Sequence, residues 1–293
     1  MRTRSRTRLR HYRRRYHLFL TLFTIGAILL IAPIVYSQSV QHRELTLARQ
    51  YARAPHASAA IKAARRYNAD IFAHQRHQAL PYHQQMTQVQ RQLSKPIGFV
   101  RVPAINLAST PIYYGDSDQV LAKGTGTMTG TSLPIGGKNS LAVVSGHTGL
   151  ANRVIFDNIR YLKKGDVFYF TTLGQAEIAY RVYKTIVVDP AKPHATAVVN
   201  VQPGKDRAVL LTCTPIFINS HRLLVFGKRV PIKTAKLTPT RPRATFSPLN
   251  LWLYAVSALM LVFLIWFAAT EWRYRHPKGV KRYDPREEED LSR

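Results

Sequence analysis

The chain has 293 residues, 46% of them hydrophobic, which excludes a disordered polypeptide and fits one or two domains. Its 43 Lys and Arg against 15 Asp and Glu give a net charge of +28, so the placement of charge says more than its sum. A single cysteine excludes an intrachain disulfide and a multi-cysteine zinc site.

The N-terminus comes first. Residues 1–16 carry Arg2, Arg4, Arg6, Arg8, Arg10, Arg13, Arg14 and Arg15 and no acid. The next stretch, 17–36, holds no Asp, Glu, Lys or Arg. About 20 apolar residues are enough for a helix to cross a bilayer. This run is long for a cleaved signal peptide, and Ser37-Gln38-Ser39 is a weak cleavage site, so it reads as an uncleaved anchor. Near the C-terminus, residues 251–270 are likewise uncharged, with Trp252, Tyr254 and Trp272 near the ends, where interfacial aromatics gather. Arg273, Arg275, Lys278, Lys281 and Arg282 follow. Basic flanks stay in the cytoplasm. The expected topology is therefore a two-pass membrane protein with transmembrane helices at 17–36 and 251–270. Its tails, 1–16 and 271–293, are cytoplasmic, and the segment between the helices is extracytoplasmic.

That outer segment keeps nine of the 15 acids and still carries a charge of about +19. This charge fits an anionic cell wall or lipid surface and fits a role in solubility alone equally well, while nucleic acid is not an expected partner there. Residues 37–95 begin with Leu45, Leu47, Ala48, Tyr51, Ala52, Ile61, Ala64 and Tyr67 at roughly helical spacing, interrupted by Pro55. They read as a helical stalk leading away from the membrane, broken at Leu80-Pro81-Tyr82.

From residue 96 the pattern changes to short β-type runs at 98–102, 110–114, 140–144, 167–171, 179–188, 208–212 and 222–230, parted by Gly, Pro and Asp turns. Seven or eight short strands at this spacing predict a mainly β domain over 96–232, a sandwich or closed barrel. Pro239, Pro242 and Pro248 mark 233–250 as a linker.

Chemistry centres on three side chains. Cys213 ends the run Ala208–Thr212, beside Thr214-Pro215. A lone Cys is usually a small buried hydrophobe. An unpaired thiol outside the cytoplasm invites oxidation, however, and a strand end beside Pro can face a groove. Arg222 opens the next run nine residues on. If the two runs pair as a hairpin, Cys213 and Arg222 face each other, and the guanidinium could bind an oxyanion. Spacing alone fits a surface Arg equally well. His147, in Ser145-Gly146-His147-Thr148-Gly149, is the one of 11 His at a strand-to-turn junction among glycines. His221 is the weaker competitor. A Cys nucleophile needs a partner that protonates the leaving amine, and His suits this near neutral pH.

The string Thr212 to Arg229, TCTPIFINSHRLLVFGKR, resembles the active-site segment of sortases, the membrane-anchored cysteine transpeptidases of Gram-positive bacteria. SGHTG is similar to their histidine motif, and Ile97 to Gly115 resembles the strand pair that opens their barrel. The three motifs stand in the right order across about Pro96 to Val230. The resemblance implies a closed sortase barrel of about eight strands, with His147, Cys213 and Arg222 catalytic and Thr212, Thr214 and Asn219 supporting them. Two spanning helices and the Asn219 region look most like class C, the pilin polymerases. Those enzymes usually carry an Asp-Pro-aromatic lid. No such triplet precedes residue 96, so Pro81 and Tyr82 stand as the candidate lid.

By the same resemblance, the implied reaction cleaves a Leu-Pro-x-Thr-Gly-like sorting signal between Thr and Gly through a thioester. The acyl group then passes to a Lys of another pilin subunit. The alternative acceptor is a cell-wall peptidoglycan precursor. Cleavage by water would make the chain a simple thiol protease, and a non-catalytic scaffold barrel is the reading farthest from the motifs. The partners implied are LPxTG-type surface proteins or pilins. No cofactor and no metal is expected, since the outer segment has no acidic cluster for calcium.

Overall fold

The computed structural model describes residues 3–53, 58–76, 95–150, 154–237 and 248–275. The candidate lid residues Pro81 and Tyr82 lie outside the described residues, as do 238–247 of the expected linker and 276–293 of the expected tail. In chain order the elements are α1 (Thr3–Arg53), α2 (Ser58–His74), β1 (Gly98–Val102), β2 (Leu107–Tyr113), α3 (Asp118–Leu121), β3 (Thr125–Thr127), β4 (Ser140–Ser145), β5 (Val167–Thr172), β6 (Ile178–Val188), β7 (Asp206–Thr214), β8 (His221–Val230), α4 (Ile232–Lys236) and α5 (Pro248–Arg275). Contacts divide the chain into two units, Met1–Ala32 with Pro248–Arg293, and Pro33–Ser247.

In the first unit, Phe23 of α1 and Phe263 of α5 meet with ring centroids 5.6 Å apart. Leu18, Ile28, Leu29, Leu259 and Val262 are exposed. Among the described residues no helix is long and apolar enough to cross a membrane. The two expected transmembrane helices therefore rest on the sequence.

The second unit is built on a closed barrel with strand order β1-β2-β3-β4-β7-β8-β6-β5. The central segments Leu141–Val144 of β4, Ala208–Leu211 of β7 and Leu223–Phe226 of β8 are apolar at every position because both of their faces are covered. Val144, Ala208, Leu210 and Val225 point inward to a core that includes Phe156, Phe168, Phe170 and Tyr180. Their neighbours Leu141, Val143, Val209, Leu224 and Phe226 point outward, to a second cluster with Val199. Val199 ends a 3-10 turn, Ala195–Val199, so an excursion of the chain after β6 covers this outer face.

Seven strands fall where the sequence predicts them. The eighth, β3, has three residues, Thr-Gly-Thr, and no hydrophobic pattern to announce it. It pairs parallel with β2 and antiparallel with β4, which closes the barrel on that side. The stalk expectation needs correction. Residues 58–74 are helical, but Ala64, Tyr67 and Ile71 belong to the barrel's core. Asn68 locks the contact, accepting from the Leu133 N–H at 2.7 Å and donating to the Leu133 carbonyl at 3.1 Å. The helix buries its apolar stripe on the barrel, where a free stalk would leave it in water.

The barrel end opposite the turn after β4 is held by Asp206. Its carboxylate accepts from the Tyr180 hydroxyl at 2.8 Å and from the Gly137 N–H at 2.8 Å. Burial, and then the adjacent Asp206 charge, push the Tyr180 phenol well above its ordinary value of 10.0. Below that pH both folded and unfolded states keep the proton. Above it the unfolded chain ionises first, so this group's stabilisation is lost as pH rises. Each pH unit beyond the unfolded value costs up to about 1.4 kcal/mol. In thermal melts of the full chain in detergent, Tm is expected to fall more steeply above this pH in the wild type than in Tyr180→Phe. Parallel slopes would remove Tyr180 as the source.

Candidate active site

Strands β4 and β7 run parallel as neighbours, with Ser145 beside Leu211. The register continues past the end of β4. The Gly146 N–H donates to the Leu211 carbonyl at 3.0 Å, and Thr212 Oγ1 donates to the Gly146 carbonyl at 2.7 Å. His147 follows in the turn after β4, which Thr212, the neighbour of Cys213, ties to β7. On the other side β7 pairs antiparallel with β8, with Cys213 directly opposite Arg222. His147 thus stands in the turn that leaves β4 on one side of β7, and the neighbouring strands β7 and β8 carry Cys213 and Arg222 abreast at a strand spacing of about 5 Å.

They also share a face. Opposed residues of an antiparallel pair project to the same side. Leu211 and Leu224 pack with the outer cluster, and Cys213 and Arg222 stand two residues from each, so both face outward. Beside Arg222 lies a groove of about 190 Å³ whose lining includes Arg222 itself, Met128, Val188, Leu211 and Leu224, with Asp116 also on the wall. Cys213, Arg222 and His147 are each half-buried, and of the three Arg222 lines the groove. His221 sits opposite Thr214, one residue out of phase, and so belongs to the other face. Its Nδ1 lies 2.9 Å from Ser220 Oγ.

The remaining predicted residues sort themselves by position. Arg222 Nη1 donates to the carbonyls of Asn219 at 2.9 Å and His221 at 3.2 Å. Asn219 thus contributes through its backbone, held at a positive φ of 58°. Thr212 is buried and spends its hydroxyl on Gly146, so it ties the His-bearing turn to the Cys-bearing strand and does not meet the groove. Thr214 precedes a cis proline that opens the β7–β8 loop.

Glycine is demanded at both ends of the histidine turn. A Cβ on Gly146 would lie 2.8 Å from the Phe156 ring. Gly149 has a φ of +76°, and a Cβ there would press on Ile216 of the β7–β8 loop at 3.0 Å. The sequence reading missed Asp157. Its buried carboxylate accepts from the N–H groups of Gly149 at 2.8 Å and Ile155 at 3.2 Å, clamping the turn. Arg160 adds a second clamp, donating to Thr148 Oγ1 at 3.1 Å and to the Asp157 carbonyl at 2.6 Å. Only the fold brings these groups to the turn, and nothing in the Phe156-Asp157-Asn158 string marks them.

Known proteins bear on this arrangement. Residues 100–230 match the family model for a sortase domain. The chain is 30% identical over 140 residues to sortase A of Bacillus anthracis, a match that takes in 48% of this chain and 62% of that protein. The chain thus spans about three fifths of that relative's length. Among solved structures, sortase C of Clostridium perfringens, with the C-terminal cell wall sorting motif, is 35% identical with a TM-score of 0.55. That match covers 65% of this chain and 98% of the other. Sortase C1 of GBS pilus island 1 is 34% identical, also with a TM-score of 0.55, over 65% of this chain and 92% of its own. Identity at this level, across nearly the whole of two sortase C structures and through every strand of the barrel, makes the chain a member of the sortase family, most like class C.

Proposed function

We propose that the chain is a membrane-anchored cysteine transpeptidase of pilus assembly. The observation that carries this reading is Cys213 directly opposite Arg222 across the β7–β8 ladder, with Arg222 lining an apolar groove and His147 in the turn after the adjacent β4. The substrate is a Leu-Pro-x-Thr-Gly-like signal. Its Leu and Pro suit a groove floored by Leu211, Leu224 and Val188. The Cys213 sulfur attacks the Thr carbonyl carbon. Arg222 N–H groups receive the developing oxyanion. As the Thr–Gly C–N bond breaks, His147 gives its proton to the departing glycine amine, and a thioester remains. A Lys amine of a second subunit then attacks the thioester. His147 takes the amine proton, the sulfur leaves as the thiolate, which restores the starting pair, and an isopeptide bond forms. The energy of the peptide bond passes through the thioester, so no nucleotide is required.

The anchoring belongs to the same proposal. The uncharged runs at 17–36 and 251–270, flanked by basic residues, support two spans with the barrel outside. Holding enzyme and membrane-borne substrates on one surface raises their effective concentration.

Mass spectrometry tests the chemistry directly. Incubating the full chain with a Leu-Pro-x-Thr-Gly peptide is expected to leave the Leu-Pro-x-Thr acyl group on Cys213. Adding an amine acceptor is expected to convert the adduct to an amide and speed turnover. Turnover indifferent to the amine, yielding only hydrolysed peptide, would make the chain a thiol protease.

A further inference from the structure

The groove lined by Arg222, the residue opposite Cys213, is apolar except for a few groups, and among its described lining residues Asp116 is the only acid. The outer segment has just nine acids amid a large excess of Lys and Arg, so an acid placed here is not a product of composition. Asp116 is also held in place. It follows Gly115, which ends the turn after β2 with a φ of +83°, and the Gly115 N–H donates to Thr127 Oγ1 at 3.0 Å. Thr129 Oγ1 donates to Asp116 Oδ1 at 2.9 Å. Among the described residues no Lys or Arg is paired with it. The groove therefore presents Arg222 and, apart from it, one fixed carboxylate with unused acceptor capacity.

We infer that Asp116 is a specificity residue that selects an acyl donor with a cationic side chain at the variable position of the sorting signal. This rests on the reading of the groove as the seat of a Leu-Pro-x-Thr-Gly-like peptide. Leu and Pro occupy apolar wall and Thr carries the reacting carbonyl. The variable residue is then the position of the four that is open to charge. A peptide lying over Asp116 strips water from its carboxylate, which is costly unless the peptide returns a donor. A Lys or Arg at the variable position returns a charge-assisted hydrogen bond, whereas a Glu adds like-charge repulsion.

Peptides Leu-Pro-Lys-Thr-Gly and Leu-Pro-Glu-Thr-Gly, each with the same fluorescent N-terminal label, provide the test with the full chain in detergent. The Lys peptide is expected to lead in kcat/KM by roughly tenfold at low salt, an attraction and a repulsion of about 1 kcal/mol or less each. The lead is expected to shrink as salt screens the pair. Asp116→Asn keeps the bond from Thr129 and is expected to level the two peptides. Asp116→Lys is expected to reverse their order. Direct binding of both peptides to Cys213→Ala gives the same comparison without turnover. Selective binding with no turnover in the wild type would sink the transpeptidase reading and keep the selectivity. Equal binding and equal turnover would overturn the role of Asp116 and leave the transpeptidase standing. Binding of neither peptide would overturn both.

Discussion

Replacing Cys213 by Ala in the producing cell is expected to erase the high-mass covalent ladder of pilin polymers from wall extracts, with monomers still anchored. The chain has one cysteine, so no second thiol can substitute. Loss of a nucleophile that acts together with a base typically costs on the order of 10⁴-fold or more in rate. Assembly should therefore stop rather than slow. The exchange is mild for the fold. Cys213 is half-buried on the outer face of β7, and the pairing of β7 with β8 continues on either side of it. A thermal melt within a few degrees of wild type would confirm that lost activity is lost chemistry. Monomers released into the medium would identify the acceptor as a cell-wall precursor and the chain as an anchoring sortase. A ladder that persisted would remove Cys213 from the reaction altogether.

What the sequence discloses depends on how locally each feature is encoded. The hairpin partners Cys213 and Arg222 are legible because nine residues of sequence join two apolar runs, and a hairpin of that length aligns their ends. The strand bounds are legible for the same reason: β1 is found at 98–102, as the alternation and Pro103 predict. His147 is harder. Its turn is brought beside the Cys213 strand by a contact across 66 residues, that of Thr212 with Gly146. No local pattern encodes that contact, and only the family resemblance brings the two together beforehand. Asp157 and Asp116 are invisible for a related reason. Each acts on groups reached through the fold, Asp157 on the turn around Gly149 and Asp116 on the groove wall. The docking of α2 could be half read. Its helical spacing is plain, but the same apolar stripe fits a stalk and a helix packed on a barrel. Asn68, satisfied on Leu133, settles the matter only once the barrel exists.

Arg222→Lys is expected to lower kcat/KM by on the order of 10²- to 10³-fold, as removal of an oxyanion donor does. The loss should fall on kcat, with KM little changed, since the interaction is made in the transition state. A Lys keeps the charge but not the geometry. In the wild type, Nη1 is spent on the carbonyls of Asn219 and His221, which fixes the plane of the guanidinium at the mouth of the hairpin. The remaining N–H groups of that rigid fork are then free to meet an oxyanion formed beside the sulfur of the residue directly across the ladder. One ammonium cannot hold two carbonyls and an oxyanion in a single orientation. Acylation and release of the thioester both pass through a tetrahedral oxyanion, so single-turnover measurements should show both steps slowed together. A variant that acylates at the wild-type rate but binds peptide poorly would assign Arg222 to substrate binding instead. The positive φ of Asn219 then gains a functional reason: it turns the carbonyl that anchors the guanidinium toward Arg222, so the loop conformation and the oxyanion donor form one device.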